Sequence, residues 1–192
     1  MVGMNHTASD NIHLTAIPVH GGLKEYGEIR KLMDGAFPKD EQTPMWMLRL
    51  SAIRKNVDFL AYYDGNEFCG ISYTMNSDAL VFILYLAVRD SVRQKGYGSA
   101  ILQSLKQRYP NKPLALNIEP LCSDSVNYDQ RVKRYGFYAK NGFVDTRYQL
   151  SDRSCTYQVL ATTEQFSITD YVSAIKRLSL GLYSMRVQKQ DE

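Results

Sequence analysis

A glycine-containing turn between two apolar segments is the feature that most constrains the fold of this chain. Residues 93–98 read Arg-Gln-Lys-Gly-Tyr-Gly, after an apolar run over 79–88 and before an amphipathic stretch over 99–109. The run predicts a buried strand and the stretch predicts a helix. Glycines let the backbone approach an anion, and the positive end of a helix dipole favours negative charge there. The sequence therefore predicts a strand, a phosphate-binding turn and a helix in succession.

The composition of the 192 residues favours one domain with one core. Hydrophobic residues make up 44% of the chain, and no long Pro/Gly/Ser linker divides it. We expect a single domain with a flexible arm over 1–11, a core over 12–161, and a C-terminal helix and tail over 162–192. The net charge of +3 suits an anionic ligand but is too small to indicate nucleic-acid binding.

The cysteines and histidines argue against metal or redox chemistry. Cys69, Cys122 and Cys155 are odd in number and form no CxxC pair, which fits reduced thiols in a cytoplasmic protein. All three histidines fall within the first 20 residues, without acidic or cysteine co-ligands at metal spacing, so we expect no metal site. No stretch approaches the roughly 20 apolar residues that cross a bilayer, and the N-terminus lacks an apolar signal core. We expect no membrane association.

Alternation, turn residues and helix caps predict the order of the elements. Strands are predicted at 12–18, 57–63, 67–75, 79–88, 114–118, 143–150 and 156–161. Helices are predicted at 23–37, 43–55, 99–109, 130–140 and 168–182. The last residues, 188–192, are expected to be frayed.

This order resembles the GNAT superfamily of N-acyltransferases over roughly residues 12–161. The most specific segments are 84–88, 93–98 and 134–143, which reads Arg-Tyr-Gly-Phe-Tyr-Ala-Lys-Asn-Gly-Phe. A Walker loop is set aside because no lysine follows Gly98, and a dinucleotide fingerprint lacks its third glycine because residue 101 is isoleucine. The resemblance and the element order imply an α/β (α+β) fold, with a mostly antiparallel, twisted sheet of about six or seven strands flanked by helices.

The resemblance also implies acetyl-CoA as cosubstrate. Backbone groups of Leu86 and Val88, with Ala87 between them, would pair with the pantetheine arm. The turn would hold the pyrophosphate through backbone N–H groups, with added charge from arginine or lysine. Its residues are Arg93, Gln94, Lys95, Gly96, Tyr97, Gly98 and Ser99. Asn127 would contact CoA or substrate. The alternative for the turn is a solvated loop that the glycines merely close.

Two side chains are candidates for proton transfer. Glu119 follows the strand at 114–118, where a carboxylate can accept a proton from an attacking amine. An alkyl ammonium of pKa near 10.4 is neutral only about once in 10³ at pH 7, so a base or water chain must offset roughly 4.6 kcal/mol. Glu119 also reads as a strand cap or as a partner for a substrate ammonium. By resemblance, Tyr138 protonates or orients the departing thiolate; the alternative is a core aromatic with a bonded hydroxyl.

Acceptor binding is predicted in the loop over residues 37–44. By resemblance this region lines the acceptor pocket, where Asp40 and Glu41 would attract a cationic amine, and a solvated loop is the alternative. A route through an acyl-enzyme on Cys122 is disfavoured because no histidine follows His20 to activate the thiol. The same absence argues against a Ser-His-Asp hydrolase.

Together these residues predict an enzyme that transfers an acetyl group from acetyl-CoA to a primary amine by direct attack in a ternary complex. The backbone N–H of Val88 would polarise the thioester carbonyl. The alternative, from a different functional class, is a CoA-binding sensor or interaction module without turnover. The sequence leaves open the acceptor amine and the oligomeric state, although the C-terminal helix suits a homodimer.

Overall fold

The computed structural model describes residues 12–39, 41–151, 155–178 and 186–190. In these ranges a mostly antiparallel sheet of eight strands is flanked by five helices. The strands are β1 (Leu14–Pro18), β2 (Val57–Asp64), β3 (Glu67–Asn76), β4 (Val81–Val88), β5 (Leu114–Ile118), β6 (Val144–Ser151), β7 (Thr156–Ala161) and β8 (Arg186–Lys189). The helices are α1 (Tyr26–Ala36), α2 (Met45–Ser51), α3 (Tyr97–Arg108), α4 (Tyr128–Lys140) and α5 (Ile168–Leu178). The predicted α/β fold class is confirmed.

The sheet has the strand order β1-β2-β3-β4-β5-β7-β6-β8. A two-residue turn joins β2 to β3, and its Gly65 has a positive φ of 56°, as hairpin turns of this length require. β4 and β5 are parallel, and their register runs from Val81 opposite Leu114 to Ile83 opposite Leu116. β4 continues to Val88, beyond the last residue of that register.

The chain divides into two compact units, and the first contains residues 1–74 and 85–110. Its described part holds α1, α2 and α3 with β1, β2, most of β3 and the end of β4. Buried side chains from the three helices and from β3 form its core, among them Ile29, Met33, Leu48, Ile71, Ile101 and Leu105. The assignment of one domain to the whole chain stays a prediction.

The second unit contains residues 75–84 and 111–192. Its core joins the start of β4 to β5, β6, β7 and α5. The ring of Tyr171 on α5 packs edge-on against Phe82 at 5.5 Å between centroids, and its hydroxyl donates a hydrogen bond to Asn117. α5 begins at Ile168 as predicted, and residues 179–182 of the predicted helix lie outside the described residues.

Strand β8 corrects the expectation of a frayed tail at residues 188 and 189. It pairs antiparallel with β6, with Val187 opposite Leu150 and Gln188 opposite Gln149. Three of its four residues are polar, so it lacks the apolar alternation by which strands are found in a sequence. The free edge of β6 supplies backbone partners that no local pattern reveals.

The helix bounds differ from the predicted ones mainly in the first unit. α2 ends at Ser51 rather than near residue 55, because the bonding changes to the tighter i→i−3 pattern at Ile53 and Arg54, and turns lead from there into β2. Within the described ranges, no helix combines the length and apolar character needed to cross a membrane.

Candidate functional site

The end of β4 contains the residues that the family resemblance predicts to pair with the pantetheine arm. Leu86 and Val88 are half-buried while Ala87 between them is buried, so the alternation of a strand persists to its end. Gly70 on β3 lies so close that a Cβ there would collide with the carbonyl oxygen of Ala87 and approach Cα of Val88 to 3.2 Å. Because these β4 residues lie beyond the β4–β5 register, their backbone groups can pair with an extended ligand.

The turn after β4 has the backbone geometry of an anion site. Gln94 and Gly96 have positive φ values of 64° and 92°. This left-handed conformation is unfavourable for any residue that has a Cβ. Gly96 is the N-cap of α3, and no side chain caps that helix start. The N–H groups of residues 97–99 therefore have no acceptor in their own helix and lie at the positive end of its dipole.

The side chains of the turn mostly hold the turn itself. Arg93 forms an ion pair of 2.8 Å with Asp90, and its Nε donates a 3.3 Å hydrogen bond to the carbonyl of Val88. Tyr97 donates a 2.8 Å hydrogen bond to Asp64. That bond, with burial second, raises the pKa of Tyr97 to about 12. The backbone is thus the part of this turn that is free to bind an anion.

The remaining residues assigned to the turn differ in exposure. Gln94 and Lys95 are exposed, while Gly98 and Ser99 are half-buried in the first turn of α3. Arg93 is also exposed, but it is paired with Asp90, so Lys95 is the predicted cation that can reach a ligand from solvent. A ligand phosphate bound at α3 can recruit it without breaking an ion pair.

Arg93 also lines a cleft of about 440 Å³ next to the turn. Leu32 and Phe68 supply apolar surface, while Lys31 and Arg89 add positive charge. Arg89 is paired with Glu28 at 3.1 Å. A volume of this size falls in the range of small-molecule sites.

Glu119 lies directly after β5, and its carboxylate accepts hydrogen bonds from three side chains. Arg131 approaches Oε1 to 2.9 Å and Arg134 approaches Oε2 to 3.0 Å. The amide of Asn127 donates to Oε1 at 3.2 Å. Asn127 in turn accepts a 2.8 Å hydrogen bond from Nε of Arg131. The structure thus brings Glu119 and Asn127 into contact, while the predicted roles of Glu119 as a base and of Asn127 as a CoA or substrate contact stay predictions.

Tyr138 lies on α4 between two aromatic rings. Its ring packs edge-on with Phe137 at 5.1 Å and with Phe143 at 5.5 Å between centroids. Burial raises the pKa of Tyr138 to about 12, and the positive charge of Arg134 opposes that rise. The phenol therefore keeps its proton at neutral pH and can donate a hydrogen bond to sulfur.

The predicted acceptor loop is held by an aromatic side chain of β4. The hydroxyl of Tyr85 bonds to the carbonyl of Glu41 and to the N–H of Thr43, and its ring lies 4.7 Å from that of Phe37. Glu41 is half-buried, and Asp40 lies outside the described residues. Acceptor binding by these two acids stays a prediction.

Three residues in these contacts were missed by the sequence analysis. Tyr85 is separated by more than 40 positions from the loop that it holds, so no local pattern reveals the contact. Arg131 and Arg134 are one helical turn apart and pair with the same carboxylate. Their i, i+3 spacing on a predicted helix marks a shared basic face, and that signal was available.

A comparison with protein-family models identifies the family that these features resemble. Residues 55–145 match the model described as an acetyltransferase (GNAT) domain. Over these residues, just under half of the chain, the protein matches a GNAT acetyltransferase domain. The matched GNAT range runs from the start of β2 to the start of β6, so it includes the α3 turn, Glu119 and Tyr138.

Solved structures with the GNAT fold resemble most of this chain. A GNAT-family protein from Bacteroides thetaiotaomicron superposes with a TM-score of 0.69 and 19% identity, covering 90% of this chain and 98% of that one. A GNAT family acetyltransferase from Elizabethkingia anophelis with acetyl-CoA bound has a TM-score of 0.54 and 14% identity, covering 77% of this chain and 96% of that one. At these identities the likeness shows the fold.

A curated relative adds a short stretch of sequence similarity to the GNAT assignment. The Bacillus subtilis (strain 168) protein named "Putative acetyltransferase YjbC" is 33% identical over 58 residues. That alignment spans 30% of this chain and 29% of the relative. The alignment covers less than a third of either protein. It therefore agrees with the GNAT match but gives no information about the substrate.

The described residues offer no candidate metal centre. In the part of the chain that the structure describes, no group of three or more histidine, cysteine, aspartate or glutamate side chains is placed to hold a metal ion.

Proposed function

We propose that this GNAT domain transfers an acetyl group from acetyl-CoA to a primary amine by direct attack in a ternary complex. One observation carries the proposal: α3 starts without a side-chain cap, directly after left-handed residues 94 and 96, and it follows the part of β4 that lies beyond the β4–β5 register. That arrangement matches the needs of a pyrophosphate followed by an extended arm. The acetyl-CoA complex of the Elizabethkingia protein supports the choice of ligand.

In this proposal the first unit holds the cosubstrate. Leu86 and Val88 pair their backbone groups with the pantetheine amides, as an added strand would. Residues 93–99 hold the pyrophosphate through their N–H groups, with Lys95 adding charge. The backbone N–H of Val88 donates to the thioester carbonyl oxygen and stabilises negative charge as it develops there.

The chemical step needs two proton movements. The neutral amine nitrogen attacks the thioester carbonyl carbon, the carbon–sulfur bond breaks, and the sulfur leaves as the CoA thiolate. The amine proton passes to Glu119, directly or through water. Tyr138 donates a proton to the thiolate, so the products are an amide and CoA thiol. Solvent then returns a proton to Tyr138 and accepts the one held by Glu119.

The contacts of Glu119 favour the water-relayed form of this step. A carboxylate has about four lone-pair positions, and donors from Arg131, Arg134 and Asn127 occupy three of them. One position remains for a water or a substrate ammonium. A second candidate function, a CoA-binding module without turnover, draws on the same observation, because a carboxylate so engaged also serves to hold α4 against the end of β5.

Two further expectations remain proposals. The reduced thiols of Cys69 and Cys122 support the proposal of a cytoplasmic location. A homodimer is proposed without a specified interface.

A thiol-release assay tests the enzyme against the module. The protein is incubated with acetyl-CoA and a panel of polyamines, amino acids, aminoglycosides and lysine peptides, and CoA binding is measured separately by calorimetry. Amine-dependent release of CoA supports acetyl transfer. If the protein binds CoA but no amine in the panel causes CoA release, the result supports the CoA-binding module. If the protein does not bind CoA, both the enzyme and the module are refuted.

A further inference from the structure

Arg134 is placed to act on both proposed proton-transfer residues. Its guanidinium lies 3.0 Å from Oε2 of Glu119. It precedes Tyr138 by four residues on α4, and side chains at this spacing lie on the same face of a helix. One cation therefore touches the first residue and neighbours the second.

We propose that Arg134 is a positioning residue that couples Glu119 and Tyr138 during acyl transfer. It fixes the carboxylate through an ion pair and supplies positive charge beside the phenol. This inference rests on the proposed acetyl transfer and adds to it a residue that touches no reacting atom.

The surroundings of Tyr138 explain why a cation matters there. Two aromatic rings flank the phenol, and Arg134 is the charged side chain whose field acts on it among the described residues. A thiol has a pKa of about 8.5, whereas burial raises that of Tyr138 to about 12. Proton donation from Tyr138 to a thiolate is therefore uphill. A guanidinium near the phenol stabilises the negative charge that develops on it as the proton moves.

Arg131 provides a matched comparison on the same helix. It also binds Glu119, at 2.9 Å, but its other donors go to Asn127 and to the carbonyl of Pro120. Only 18% of its side chain is exposed, against 46% for Arg134. Arg131 thus ties the start of α4 to the end of β5. Loss of either arginine removes one partner of Glu119. Arg134 lies one helical turn from Tyr138 and Arg131 lies two turns away, so loss of Arg134 should have the larger effect on the phenol.

A titration that needs no substrate tests this difference. 3-Nitrotyrosine incorporated at position 138 ionises near neutral pH with a change in visible absorbance. We expect Arg134→Gln to raise its midpoint by about half a pH unit or more, since an opposite charge is lost. Arg134→Lys retains the charge, so the titration midpoint should stay near that of the protein with Arg134 intact. Arg131→Gln should shift the midpoint by less than about 0.2 pH unit. Equal shifts for both glutamine variants, or no shift for Arg134→Gln, would overturn the inference.

A double-mutant cycle then links the charge to turnover. We expect Arg134→Gln to lower kcat about tenfold with the KM for acetyl-CoA within about twofold, and to lower kcat by a smaller factor in a Tyr138→Phe background, where only its effect on Glu119 remains. Circular dichroism confirms that each variant is folded. Full additivity overturns the inference while acetyl transfer stands. An inactive parent protein refutes the proposed function instead, and in that case the titration alone decides whether Arg134 acts on Tyr138.

Discussion

The hydroxyl of Tyr85 donates a 2.7 Å hydrogen bond to the backbone carbonyl of Glu41. Tyr85 immediately precedes Leu86, the first residue proposed to pair with the pantetheine arm. Thr43 also donates its N–H to the same hydroxyl at 3.0 Å. One side chain of β4 therefore holds the loop that is proposed to receive the acceptor amine, so changes at Tyr85 should separate acceptor binding from cosubstrate binding.

Replacement of Tyr85 by phenylalanine removes these bonds and keeps the ring. We expect the KM for the amine to rise about three- to tenfold, because the loop loses its anchor, and the free energy of unfolding to fall by about 1–2 kcal/mol. The KM for acetyl-CoA should not change. Steady-state kinetics and urea unfolding measure both effects.

Tyr73→Phe is the matched control for that variant. Its hydroxyl is buried and donates to the carbonyl of Leu48 on α2 at 3.3 Å, away from residues 41–43. A similar loss of stability with an unchanged amine KM is expected. If both variants raise the amine KM equally, Tyr85 does not act through the loop.

Gly96→Ala tests the turn through its backbone. The φ of 92° at Gly96 is a left-handed conformation, in which alanine costs about 1–2 kcal/mol. Relief of that strain reshapes the turn, so we expect the Kd for CoA to rise at least about tenfold. Isothermal titration calorimetry measures the change. Gly27→Ala in α1, where a Cβ meets open space, should leave CoA affinity unaltered, and an unchanged Kd for Gly96→Ala would argue that the turn does not hold CoA.

Gly70→Ala tests the close approach of β3 to β4. The new Cβ would collide with the carbonyl oxygen of Ala87, and overpacking of this kind costs about 1–3 kcal/mol. We expect a lower urea midpoint together with weaker CoA binding, because the displaced residues include Val88. Gly35→Ala, which has nothing within 4 Å, is the control. A stable Gly70→Ala protein with normal CoA affinity would show that the end of β4 can move freely.

The buried phenol of Tyr62 makes stability depend on alkaline pH. Burial raises the pKa of Tyr62 to about 12, against the partial opposing effect of its hydrogen bond with Ser72. Between pH 10 and 12 the unfolded chain loses this proton before the native protein does, so stability that is complete below pH 10 is lost as the pH rises to 12. The loss should be about 2–3 kcal/mol for this residue.

Urea unfolding at pH 8 and at pH 11.5 checks that expectation. Tyr62→Phe should show a smaller loss of stability between the two pH values than the parent protein. Ser72→Ala removes the 2.9 Å hydrogen-bond partner and retains the phenol, so it should keep the alkaline loss. Identical losses for the parent and Tyr62→Phe would assign the alkaline sensitivity to other groups.

The elements with local signals were predictable from the sequence. Apolar runs and alternation located β1 to β7, and the turn chemistry of Asp64 and Gly65 located the β2–β3 hairpin. Contacts between distant residues had no such signal. The register shift in β6 between Asp145 and Gln149, with Arg147 at a φ of 60°, depends on pairing with β7 and not on local preference.

The candidate site shows the same division. The left-handed conformation of Gly96 agrees with the backbone freedom of glycine, whereas that of Gln94 has no such signature in the sequence. The ion pairs of Glu119 with Arg131 and Arg134 could not be predicted from the sequence, because they form only after α4 packs beside the end of β5. A sequence names a carboxylate as a candidate base, but its free lone pairs are counted only in three dimensions.

Mass spectrometry of the complete reaction tests direct acetyl transfer most directly. The protein is incubated with acetyl-CoA, with and without an accepted amine, and CoA, acetylated amine and intact protein are quantified together. The account predicts equal amounts of CoA and acetylated amine in the presence of the amine, and neither CoA release nor a change of protein mass in its absence. An acetylated protein formed without amine, or CoA release without an acetylated product, would contradict it.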